Sequence, residues 1–525
     1  MTTVALPATN PYLEPYLDRS EAEDRRRIAL ACAKVAGRLL PVVAILCVQG
    51  FLSWRLMHSN TAFIDEATYL GAGHEMRDAW GAGGGPNLFY ETYFSGAPII
   101  YPVLASYFDS LGGLVAAREL SLFFMLSATV LCYASARRLF GTQAGWLAAA
   151  IFAGMEGTQF LGALATYDSM ALGLTALAAW IVIRALTAVR PSPHAAVYLA
   201  APVMALANST KYSSLAYDGA VIGIAFFLAG WRYNWREARK VVILLTLITG
   251  ALVAALLAIA GRPYLAGVTS TTLTRATGTN TPQEVLLLSA RWVGIVTILA
   301  ALAIILAAWR APRRARGWWT FGVVLVLVGA VLLAPLNQAR IHTTISLSKH
   351  AGFGAWFGAI AGGYLLAWVV GRRWRDIWRY PVVLLMLFGL AVAGTHQAEK
   401  LYRWPNSTQL VAQLKPLLAG NEGSILIDQS AVPAYYFGAE VYPTRWYNTY
   451  YMKYRIPGTE TFLIGKQAYA AAVANSYFSV IALDFGSEKA VDTVVARAIH
   501  LNKHYHYIAN VGYFVVWRYE ESVKH

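Results

Sequence analysis

Apolar runs of roughly membrane-crossing length, nearly free of charge, alternate with short basic segments from Leu39 to about Gly394. A hydrocarbon core takes ~20 helical residues to cross, and eleven runs meet that need: 39–57, 113–136, 142–162, 169–186, 194–210, 213–230, 241–260, 286–309, 319–336, 351–371 and 380–395. The basic clusters are Arg25-Arg26-Arg27 with Lys34 and Arg38, then Arg137-Arg138, Arg184 with Arg190, Arg232 to Lys240, Arg310 to Arg316 and Arg372 to Arg379. They recur after every second run. Because Lys and Arg are retained on the cytoplasmic side, the amino terminus is expected inside and every second connection outside. An odd number of spans places the carboxyl terminus outside.

The pattern changes near Tyr402, where Asn, Asp, Lys and Tyr replace the long aliphatic runs. Ser424-Ile-Leu-Ile-Asp428 and Phe478 to Asp484 read as short strands, Ser487 to His500 as an amphipathic helix and Tyr505 to Tyr519 as a hairpin. The expected fold is therefore a polytopic α-helical membrane protein of about eleven transmembrane helices with a C-terminal extracytoplasmic α/β domain. Its parts are a cytoplasmic segment 1–38, a membrane domain 39–400 and an outer domain 401–525. The first 38 residues are polar, without the short basic start and small-residue cleavage site of a removable signal, so the first run is expected to stay as an anchor.

Composition agrees: the chain is 57% hydrophobic and 14% charged, with a mean hydropathy of +0.46. This is the profile of an integral membrane protein, with the plasma membrane as the expected location. The net charge of +15 reads as anchoring to anionic lipid headgroups, and nucleic acid is not an expected partner. Cys32, Cys47 and Cys132 fall in cytoplasmic or membrane segments, which leaves no disulfide for the exported parts.

Two outward connections before the final domain are long, 58–112 and 261–284, and long loops carry function. The second is rich in Thr and Gly and reads as a mobile lid. The first opens with Asp65 and Glu66 just beyond the first span, within Asn60-Thr-Ala-Phe-Ile-Asp65-Glu66-Ala-Thr-Tyr69. Carboxylates there suit general-base chemistry, and they also suit the positive end of a helix.

Asp65-Glu66-Ala-Thr-Tyr69 resembles the Asp-Glu-x-x-Tyr signature in the first outer loop of polyprenyl-phosphate-sugar-dependent GT-C glycosyltransferases, which include lipid A aminoarabinose transferases and protein O-mannosyltransferases. Gly96-Ala-Pro98-Ile-Ile-Tyr101-Pro102, Ala117-Arg118-Glu-Leu-Ser121, Ala165-Thr-Tyr-Asp168-Ser-Met and Asn208-Ser-Thr-Lys211-Tyr212 follow in family order. The likeness weakens beyond Lys211. One departure is Ala97 before Pro98, where the aminoarabinose transferases commonly show Lys.

The resemblance implies an enzyme that moves a sugar from a polyprenyl-phosphate donor to an extracytoplasmic acceptor (lipid, polysaccharide or protein), usually with inversion. Within it, Asp65 is the candidate base. In a helix neighbouring residues point roughly 100° apart, so Glu66 is expected to orient the site. Asp168 can face the cavity or cap its own helix. The leaving phosphate calls for cations, for which Lys211, Arg262, Lys349 and His350 are candidates. Tyr69, Tyr101 and Tyr212 are candidate acceptor or sugar contacts. No cofactor is assigned, although Asp65, Glu66 and Asp168 offer hard oxygen ligands suited to magnesium or manganese. Aromatic residues such as Phe89-Tyr90, Tyr93-Phe94 and Tyr435-Tyr436 suit either sugar stacking or packing of the outer domain on the membrane half. The rival readings are a lipid-linked-sugar transporter or flippase, and a noncatalytic envelope scaffold. Charges at mid-span are nearly absent apart from Glu156, which counts against a transport pathway.

Overall fold

The computed structural model describes residues 14–86, 90–92, 94–188, 195–314, 317–371, 378–486 and 488–520. Arg190, Arg316, Arg372 with most of its cluster, Phe89, Tyr93 and Ser487 lie outside the described residues. The helices of the first half are α1 (Glu14–Met57), α2 (Ile64–Gly81), α3 (Tyr101–Phe140), α4 (Thr142–Gly154), α5 (Glu156–Gly162), α6 (Tyr167–Thr187), α7 (Ala195–Tyr198) and α8 (Ala200–Thr210). Then come α9 (Leu215–Arg232), α10 (Trp235–Ala260), α11 (Arg262–Val268), α12 (Pro282–Arg310), α13 (Gly317–Arg340), α14 (Leu347–Val370) and α15 (Arg379–Leu401).

Among the described residues, nine helices are long and apolar enough to cross a membrane, against eleven expected runs. Two runs fall short. Run 142–162 is split into α4 and α5 where Met155 turns extended, at φ −76° and ψ 146°. The run around 194–210 forms only the short α7 and α8.

Helix boundaries follow from end chemistry. The Asn234 side chain accepts from the backbone of Arg236 and Glu237, starting α10. Thr281 and Glu284 bond reciprocally ahead of α12, with Pro282 at its first turn. α14 is the central helix: 78% of its apolar window is buried, against 11% for α10, which therefore faces lipid. Small residues let the backbones around α14 close in. A Cβ at Gly363 would come within 2.5 Å of the Ala144 carbonyl oxygen.

The first long connection is mostly helical. α2 occupies its start, and α3 begins at Tyr101, bending at Gly112 and Gly113, where Gly113 takes φ 67°. The segment read as a lid folds as α11 and a following π-type turn. It is then pinned by Gly278 and Asn280, whose N–H groups donate to the carbonyls of Ile341 and His342.

The C-terminal part is an α/β unit. Its strands are β1 (Ser424–Ile427), β2 (Trp446–Tyr447), β3 (Lys453–Arg455), β4 (Phe462–Ile464), β5 (Phe478–Leu483), β6 (Tyr505–Val511) and β7 (Phe514–Tyr519). Its helices are α16 (Thr408–Leu418), α17 (Ala431–Phe437), α18 (Lys466–Ala474) and α19 (Lys489–Leu501). The main sheet runs β2-β1-β5-β7-β6, with β1 parallel to β2 and β5, and the β6–β7 hairpin antiparallel beside them. Leu426, Ile481 and Leu483 pack on one face, and Ile425, Ile427 and Val480 on the other, so the sheet is covered on both sides.

Candidate active site

Four helix ends converge where the bundle meets the α/β unit. Asp65 lies in the first turn of α2 and Asp168 in the first turn of α6, each at a positive helix end. Lys211 terminates α8, where a cation suits the dipole. Lys349 stands in the first turn of α14, an unfavourable end for a cation that its acidic partner compensates.

These residues form two ion pairs. Lys349 Nζ donates to Asp65 Oδ2, and Lys211 Nζ donates to Asp168 Oδ1 at 2.5 Å. The side chains of the second pair are 4% and 1% exposed. In the first pair Lys349 is 8% exposed and Asp65 33%, so Asp65 is the charge open to solvent. Lys349 feels the charge of Asp168 as well as that of Asp65, which makes the four groups one electrostatic unit. The Tyr167 ring lies 5.0 Å from Lys211 Nζ, and Tyr69 packs against that ring at 4.5 Å.

Glu66 points elsewhere. Its carboxylate is fully buried; Oε1 accepts from Arg118 Nε and the Ala165 N–H at 2.8 Å each, and Oε2 accepts from Arg118 Nη2 at 2.7 Å and the Phe63 N–H at 2.8 Å. Arg118 also donates to the carbonyls of Met57, Asn60 and Thr61. One buried pair thus ties the end of α1, the turn before Asp65 and the entry to α6 together. In the sequence Arg118 stands out only as part of the Ala117–Ser121 string, beside Glu119, and its partner lies 52 positions away and has no local signature.

Gly96 explains part of the motif around Pro98. The Ala97 N–H donates to the Ser209 carbonyl and the Tyr212 N–H to the Ser95 carbonyl. A Cβ at Gly96 would sit 2.0 Å from the Thr210 oxygen, so only glycine allows this loop to support the backbone at Lys211. The α/β unit supports the other wall. Asn60 Nδ2 donates to the carbonyls of Tyr402 and Trp404, the Trp404 indole donates to the Thr61 carbonyl, and the Ala62 N–H donates to the Tyr436 hydroxyl. Tyr435 donates to Asp109, which also bonds His74. These two tyrosines therefore serve packing between the parts.

Other candidates are dispersed. The His350 ring accepts at Nδ1 from Gln338 at 2.6 Å, one residue beyond Lys349, and feels the charges of Lys211 and Asp168. Tyr101 is fully enclosed, its hydroxyl 2.8 Å from Ser121 Oγ. Tyr212 is 8% exposed, and its hydroxyl lacks a partner among the described residues. Arg262 is exposed at the start of α11 and makes no hydrogen bond to the four charges among the described residues. Glu75 accepts from Tyr90. Each lysine occupies one oxygen of its aspartate, whereas both oxygens of Glu66 are taken up by four donors.

Residues 97–259 match the model of the dolichyl-phosphate-mannose-protein mannosyltransferase family. Among curated proteins no relative matches in sequence. Among solved structures, ArnT from Cupriavidus metallidurans bound to undecaprenyl phosphate is similar with a TM-score of 0.55 and 16% identity, over 93% of this chain and 99% of that one. The archaeal oligosaccharyltransferase AglB from Archaeoglobus fulgidus, in complex with an inhibitory peptide and a dolichol-phosphate, gives 0.56 and 11% over 90% and 74%. The arabinofuranosyltransferase AftD from Mycobacteria gives 0.51 and 14% over 92% and 40%. The chain thus carries a segment similar to that family's model and shares the overall fold of these three structures.

Proposed function

We propose that the protein takes a sugar from a polyprenyl-phosphate donor in the outer leaflet of the plasma membrane and transfers it, with inversion, to a hydroxyl of an extracytoplasmic acceptor. The basic clusters support an orientation with the amino terminus inside and the α/β unit outside. The observation that carries the reading is the contrast in exposure: Asp65 is 33% open, while Asp168 and Glu66 are 1% and 0%. Of these three acids, Asp65 alone combines access to an acceptor with a lysine partner.

In this scheme the acceptor oxygen attacks the anomeric carbon, the bond from that carbon to the phosphate oxygen breaks, and the electron pair leaves with the polyprenyl phosphate. The acceptor proton goes to Asp65. Lys349 moves from Asp65 towards the departing phosphate, which raises the basicity of the one and neutralises charge on the other. The Lys211–Asp168 pair holds the floor of the site. The lipid phosphates named with two of the similar structures support this donor class.

Purified Asp65→Asn protein should keep its fold and its binding of a polyprenyl-phosphate sugar. Its turnover should fall by about 10²–10⁴, the usual contribution of a positioned base. Transfer at the wild-type rate would remove Asp65 from that role. A screen of donors against lipid, polysaccharide and peptide acceptors identifies the sugar and its destination.

A further inference from the structure

In the C-terminal α/β unit, three carboxylates meet at the carboxyl ends of two neighbouring parallel strands. Asp428 directly follows β1, Asp484 directly follows β5, and Asp492 faces them from the first turn of α19. One oxygen from each lies within 4.8 Å of the others. That spacing fits inside the coordination sphere of calcium, whose oxygen ligands at 2.3–2.6 Å span about 4.6–5.2 Å across. Openings at the carboxyl ends of parallel strands are also where ligands settle in open α/β sheets. Here β1 lies between β2 and β5.

Mutual proximity of acids would not suffice, but Asp492 adds a separate observation. It is 0% exposed, and no N–H or O–H donor among the described residues reaches either carboxylate oxygen; the side chain it meets is the Asp428 carboxyl, another acid. The charges that act on it, from Asp428, Asp484 and Glu488, are all negative. A buried carboxylate costs several kcal/mol unless paired or metal-bound. The other two acids are oriented as ligands by the chain itself. Thr449 donates to Asp428 Oδ1 at 2.7 Å, the Asp484 N–H donates to Asp428 Oδ2 at 2.5 Å, and the Gly486 N–H donates to Asp484 Oδ1 at 2.6 Å.

We infer that Asp428, Asp484 and Asp492 form a site for a hard divalent cation, calcium by size, in the C-terminal α/β unit. The ion supplies the positive charge that Asp492 lacks and fixes the β1–α17 junction, from which α17 reaches the loop beside Asp65. The ion touches none of the groups assigned to the transfer chemistry.

The test uses full-length protein in detergent, with radioactive-calcium dialysis and thermal melting in chelator, calcium or magnesium. With Kd near the 10⁻⁴–10⁻³ M of extracellular calcium modules, about 10 mM calcium should shift the unfolding equilibrium by about 10–100-fold. One calcium per chain should bind, and Asp65→Asn should leave it in place. Asp492→Asn removes like-charge repulsion, so it should melt above wild type in chelator and ignore calcium. Half-buried Asp484→Asn gives the same loss of calcium response where Asp492→Asn does not fold. The inference is overturned by absence of calcium binding in wild type, or by wild-type binding in both variants. It is equally overturned if acid stabilises the chelated protein while calcium has no effect, because a shared proton then occupies the place of the ion.

Discussion

Replacing Glu66 by Gln separates an orienting role from a chemical one. Each oxygen of Glu66 accepts from one guanidinium nitrogen of Arg118 and one backbone N–H. A glutamine amide has one acceptor oxygen and one donor nitrogen. Whichever way it is turned, its NH2 group faces an Arg118 N–H and a backbone N–H, from Ala165 or Phe63. Each buried donor so stranded costs about 1–3 kcal/mol, and removing one charge of a buried pair costs about 3–5 kcal/mol in all. The three carbonyls that Arg118 retains hold the cost near the lower end. A loss of about 3 kcal/mol is roughly 150-fold in an equilibrium constant, and a drop of at least about 5 °C in the melting midpoint is expected. Turnover should fall with stability, because the same carboxylate holds the turn that aims Asp65. Thermal melting in detergent beside a transfer assay decides the matter. Unchanged melting with turnover lost would make Glu66 a participant in the reaction and refute its assignment as a tether.

The two lysines should part company on mutation. Lys349→Ala frees only the partly open Asp65, so donor-lipid affinity should fall by about 10–150-fold, the worth of a charged hydrogen bond, with melting little changed. Lys211→Ala leaves Asp168 buried without its cation and should cost about 3–5 kcal/mol of stability; normal melting would show that another group compensates Asp168. Gly96→Ala should push the first loop off Thr210 and cost about 1–3 kcal/mol, with weaker donor binding although no charge is touched, and wild-type binding would deny the loop its part in placing Lys211.

What the sequence made legible was local or periodic. Apolar length revealed the spans, and the β6–β7 hairpin was readable because its strands are consecutive. The break between α4 and α5 was hidden because its cause is distant: Gly394 packs so closely that a Cβ there would come 2.1 Å from the Gly154 oxygen. Glu156 sits at that break with one buried oxygen lacking a partner among the described residues, which no alternation of polar and apolar positions reports. The strands ending at Asp428 and Asp484 were each readable, but the parallel pairing that brings these acids together joins segments far apart in the chain. Asp65 stood out by its place after a span, whereas the difference between it and Glu66 is a matter of burial. A string of residue types does not carry that difference.

Burial also explains why the turn before Asp65 draws on so much of the chain. Asn60 and Thr61 give their carbonyls to Arg118, Asn60 spends its side-chain amide on the Tyr402–Trp404 linker, and Ala62 gives its N–H to Tyr436. A short irregular segment has no helix or sheet partners, so its backbone groups must be satisfied from outside. Here they are satisfied by both the membrane half and the α/β unit. The position of Asp65 is consequently set by contacts from each, and any force that moves α17 acts on the carboxylate through this turn. The α/β unit is in this sense part of the wall of the site as well as a neighbour of it.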